Sequence, residues 1–81
     1  MNGVNWRVYM IYDENDFAAA LRRYEAAVQQ KPRCIAVSER APAEIERMAA
    51  ESGLLLAARR ADILPRDVWL THETAFQPGL L

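Results

Sequence analysis

Arg33-Cys34-Ile35-Ala36-Val37-Ser38 is a short apolar run with a helical pattern on each side of it. It is apolar in both alternating rows and too short for a helix, so it reads as a strand buried on both faces in the middle of a sheet. The helices before and after it then become crossovers, and the chain becomes an α/β domain.

The segment before the first helix supports this reading. Over Val4 to Tyr12, one row holds Val4, Trp6, Val8, Met10 and Tyr12, while the other begins with Asn5 and Arg7 and turns apolar at Tyr9 and Ile11. The spacing of Phe17, Leu21, Tyr24 and Val28 predicts a helix over Asp13 to Gln30, with Asp13 as N-cap, Glu14 and Asp16 at the positive end of the dipole, and Pro32 barring continuation. A second helix is predicted from Pro42 to Ser52, its stripe made by Ile45, Met48 and Ala49 and its end marked by Gly53.

Leu54 to Arg60 is ambiguous. Leucine, alanine and arginine favour a helix, but the position directly after a glycine-terminated crossover favours a strand, and position is given the greater weight. Asp62 to Arg66 with Pro65 reads as a turn, Asp67 to Thr71 as the last strand, and 73–81 as an irregular tail.

The expected fold is thus a single domain over 1–81, a two-layer α/β sandwich in β-α-β-α-β-β order with a four-stranded mixed sheet and two helices. Right-handed crossovers make the first three strands parallel, and the short last connection makes the fourth antiparallel to the third. The order resembles the folds of the C-terminal domain of the third translation initiation factor, the Alba chromatin proteins and the small sulfur-carrier proteins. The resemblance is one of topology alone: Glu14-Asn15 stands where the sulfur carriers open their first helix with Cys-Pro, and Alba's basic surface is missing.

Several functions are disfavoured by composition. Ten basic and 11 acidic residues, spread along the chain, form no basic stripe for nucleic acid. Apolar runs such as Val8 to Tyr12 fall far short of the roughly 20 residues that span a bilayer. No secretory signal is read at the N-terminus, and a cytoplasmic location is expected. Cys34 is the only cysteine and His72 the only histidine, so neither an internal disulfide nor a Cys/His zinc site is expected. The three glycines match no phosphate-binding loop, and Ser38 with His72 lacks a nucleophile elbow. No cofactor or metal is expected, and no residue pattern specifies a reaction.

Two candidate surfaces remain. Asp13, Glu14, Glu39, Arg40, Arg59 and Arg60 fall at the carboxyl ends of the parallel strands, where open α/β sheets place ligands, so they are the candidates for binding a small ligand, an anion or Mg²⁺, or for an enzyme that uses this edge. The second surface follows from size. At 81 residues, folding buries only about 60 to 65% of the unfolded chain's surface, and two helices have apolar side chains to cover on both faces of the sheet. If both helices lie on one face, the other is left for a protein partner, most simply a second copy of the chain. Tyr9, Ile11, Ile35, Val37 and Trp69 are the expected interface residues, and a small interaction or regulatory module is the expected function.

Overall fold

The computed structural model describes residues 5–73. In chain order its elements are β1 (Arg7–Met10), α1 (Glu14–Val28), β2 (Cys34–Ser38), α2 (Ala43–Glu51), β3 (Leu55–Arg60) and β4 (Asp67–Thr71). The fold class is as the sequence predicts, and Leu55 to Arg60 is a strand. There, pairing with the buried central strand outweighs local helix propensity. Residues 74–81 of the expected tail lie outside the described residues.

Each helix end has a local cause. Asp13 caps α1 in an extended conformation, its Oδ1 accepting the Asp16 backbone N–H at 2.9 Å. At the other end Gln29 turns left-handed with φ of 66°, and its side-chain amide donates to the Ala26 carbonyl at 2.9 Å, so the helix stops before Pro32 is reached. α2 ends in a Schellman motif: Gly53, at φ of +79°, donates to Ala50, and Leu54 donates to Ala49. Leu54 then enters the core.

The strand order is β1-β4-β2-β3, with β4 antiparallel to β1 and β2, and β2 parallel to β3. Both crossovers, β1 to β2 and β2 to β3, therefore run the same way across the sheet. Right-handed connections of that kind put both helices on one face. The core agrees: Phe17, Ala20 and Tyr24 of α1 and Ile45, Met48 and Ala49 of α2 join a single cluster with Ile11, Ile35, Val37, Val68 and Leu70. Ile35 is paired with Leu70, and Val37 with Val68, so these four form one row of the sheet.

This assignment of rows corrects the expected interface. Ile11, Ile35 and Val37 are fully buried beneath the helices, and Tyr9, in register with Val68, packs against the same cluster. Of the five expected residues only Trp69 lies in the opposite row. Alternation along a strand separates two rows of side chains but does not say which one meets the helices, and here both rows are apolar.

The opposite row runs Val8 and Met10 in β1, Asp67, Trp69 and Thr71 in β4, Cys34, Ala36 and Ser38 in β2, and Leu55, Ala58 and Arg60 in β3. The shift of partners from Ile35–Leu56 to Ala36–Ala58 makes Ala57 a bulge on the β3 edge. Although no described helix covers this face, Cys34, Ala36 and Ser38 are buried. The Arg60 guanidinium lies 5.5 Å from the centre of the Trp69 ring. Because β2 separates β3 from β4, that contact bridges the small residues of the central strand and shields them. Burial pushes the Cys34 thiol above its ordinary value, while the Arg33 charge pulls the other way. A thiol reagent, which reacts with the thiolate, is expected to label Cys34 slowly in the native state and fast in denaturant. Equal rates would contradict this packing.

Candidate functional site

The carboxyl ends of β1 and β2 lead into the N-termini of α1 and α2, so the starts of both helices lie on the same edge of the sheet. Arg66, just before β4, fastens this edge. Its Nη1 donates to the carbonyls of Ile11 (3.0 Å) and Tyr12 (3.2 Å), and its guanidinium lies 5.5 Å from the centre of the Tyr12 ring. The Ile11 N–H donates back to the Arg66 carbonyl at 2.8 Å. The result is a carboxylate and arginine cluster beside the parallel strand ends.

Within that cluster, a depression of about 310 Å³ is lined by Asp13, Glu14, Asn15, Glu44, Arg47 and Met48. Asp13 and Glu14 are candidates from the sequence. Glu44 and Arg47 are not, because only the side-by-side placement of the two helices brings them there. Asp13 and Asp16 also serve the backbone: Asp16 Oδ2 accepts the Tyr12 N–H at 2.9 Å, reciprocating the Asp13 cap. Asp13→Ala is expected to lower stability by about 0.5 to 2 kcal/mol, measured by urea unfolding. No loss would show that Asp13 is not the cap of α1.

The remaining candidates are dispersed. Arg59 and Arg60 are neighbours on β3 and therefore point to opposite faces. Arg59 makes two hydrogen bonds to Glu46 of α2, at 2.9 and 2.8 Å, and this pairing holds the Glu46 carboxyl below its usual range. Arg60 pairs in the same way with Asp62, at 2.8 and 2.9 Å, and depresses the Asp62 carboxyl. These arginines cannot close on one ligand. Glu39 and Arg40 form the exposed turn after β2, where the Arg40 N–H donates to Ser38 Oγ at 2.9 Å; neither lines the depression.

Among the described residues, no group of three or more His, Cys, Asp or Glu side chains is gathered to hold a metal ion, and no helix is long and apolar enough to cross a membrane. Comparison of the chain with protein-family models, curated proteins and solved structures gives no match. The functional reading therefore rests on the geometry of the chain itself.

Proposed function

We propose that the chain is a binding domain that takes a small cationic ligand, one carrying ammonium groups, in the depression between the two helix N-termini. The observation that carries this reading is the charge of the lining: three carboxylates (Asp13, Glu14, Glu44) against one guanidinium (Arg47). Two helix N-termini add about +0.5 each, and Arg66, with Nη1 3.9 Å from Glu44 Oε2, offsets that carboxylate, so an ammonium group is received chiefly by Asp13 and Glu14. An anion is the poorer fit, because Arg59 and Arg60 are each committed to a carboxylate and Arg66 to main-chain carbonyls and to Glu44. Mg²⁺ is likewise disfavoured by the absence of gathered ligands among the described residues. The volume is near the lower end of the roughly 300 to 1,000 Å³ typical of small-molecule sites, which limits the ligand to a small one.

Thermal melting with spermidine and with phosphate tests the reading. Spermidine is expected to raise the melting temperature of the native chain and to leave Glu14→Gln/Glu44→Gln unmoved, while phosphate has no effect. Stabilisation by phosphate alone, or an equal spermidine effect in the double variant, contradicts it.

A second reading is favoured by a separate observation. Val8, Met10 and Leu55 on the open face are 54, 55 and 53% exposed, beside the tilted Trp6–Trp69 pair with ring centroids 6.2 Å apart. Three half-exposed large side chains on one sheet face support association with a second copy of the chain through that face. Sedimentation at micromolar concentration is then expected to show a dimer that Trp69→Asp and Val8→Asp both abolish. A native chain that sediments as a folded monomer at every concentration excludes this reading and leaves the first intact.

A further inference from the structure

At the other end of the domain, a cavity of about 460 Å³ lies between the start of β1, the last turns of α1 and the end of β4. Trp6, Arg7, Tyr24, Ala27, Val28 and His72 contribute to its lining. These positions are far from the carboxylate edge, because β1 begins where β4 ends and α1 runs down from that edge.

Tyr24 and His72 form a polar pair in the wall of this cavity. Tyr24 is buried, its Oη accepts the His72 backbone N–H at 2.8 Å, and the same oxygen lies 2.8 Å from His72 Nδ1. The hydroxyl donates to Nδ1 in one tautomer of the imidazole and accepts from it in the other, and Nε2 is the ring nitrogen outside this pair. Arg7 adds a guanidinium, with Nε 3.4 Å from Tyr9 Oη. Among the described residues, no carboxylate lines the cavity. Glu73, next to His72 in sequence, is engaged through Oε2 by the Asn5 backbone N–H at 3.0 Å. The described lining therefore holds the Arg7 guanidinium and no carboxylate, with the side chains of Ala27 and Val28 as apolar wall.

We infer that this cavity binds a small aromatic carboxylate, its anionic group received by Arg7 and His72 and its ring placed against the side chains of Ala27 and Val28. A guanidinium pairs with a carboxylate through two parallel hydrogen bonds, and an aromatic ring gains from burial against aliphatic side chains. The inference does not depend on the cationic ligand proposed for the opposite end, because the two sites share no residue and prefer ligands of opposite charge.

Calorimetric titration with benzoate, and with benzyl alcohol as its uncharged counterpart, tests it. Benzoate is expected to bind saturably, benzyl alcohol and Arg7→Gln each to weaken binding at least about tenfold, the loss of one charge-assisted hydrogen bond. Ala27→Leu, at an exposed helical position that tolerates the change, is expected to fill the cavity and abolish binding while the circular dichroism stays native. Absence of saturable benzoate binding overturns the inference. So does equal binding of benzyl alcohol, or benzoate binding that survives Arg7→Gln or Ala27→Leu unchanged.

Discussion

Ile35→Ala is expected to destabilise the chain by about 2 to 5 kcal/mol, whereas Val8→Ala is expected to change stability by no more than about 0.5 kcal/mol. In both cases an apolar residue on a strand is truncated. Ile35 has no exposed surface and sits in the cluster that joins both helices to the sheet, so its removal leaves a cavity there. Val8 belongs to the opposite row and is 54% exposed, so truncation removes little burial. A chain of this length has a total stability of about 4 to 12 kcal/mol, and Ile35→Ala takes a large share of it. Urea unfolding of the two variants measures the difference. Equal losses would mean that the sheet does not have one covered and one open face.

Tyr24→Phe is expected to lower stability by about 1 to 3 kcal/mol, although it removes a single oxygen. That oxygen accepts the His72 N–H and meets the imidazole, tying the last turns of α1 to the end of β4. Without it a part-buried backbone donor has no partner, and the loss carries the full desolvation cost of that group. Amide hydrogen exchange locates the effect, because His72 is expected to be protected in the native chain and to exchange faster in the variant. Tyr12→Phe is the control: Tyr12 is 61% exposed, and the substitution is expected to be neutral. A neutral Tyr24→Phe would show that the Tyr24–His72 pair does not hold this end of the domain together.

The sequence is a good guide to the elements and a poor guide to the faces, for identifiable reasons. Asp13, Pro42 and Gly53 each act at a helix end through a single residue's geometry, which spacing and residue type reveal. β3 is legible too, because Gly53 and the crossover outweigh the helical leaning of its leucines and alanines. The strand order is different. β4 enters between β1 and β2, a choice made by long-range pairing that no local pattern encodes. Alternation does not separate Ile11, Ile35 and Val37, which prove to be core, from Val8 and Met10 on the open face, since both rows are apolar.

The candidate site shows the same division. Asp13 and Glu14 are visible as acids following a strand. Glu44 and Arg47, one turn apart on α2, look like an ordinary solvated pair until α2 is placed beside the start of α1. Arg59 and Arg60 mislead because adjacency in sequence means opposite faces on a strand. Arg66 does lie at the ligand edge, where its guanidinium is used on the carbonyls of Ile11 and Tyr12 and reaches Glu44 at 3.9 Å.

The functional proposal concerns one location, the depression between the helix N-termini, and an amide chemical-shift titration with spermidine examines that location residue by residue. The expected result is a saturable set of shifts confined to Asp13, Glu14 and Asn15 at the start of α1 and to Glu44 through Met48 in α2. Shifts that fail to saturate, or that centre on the open sheet face or the far end of the domain instead, would contradict the proposal.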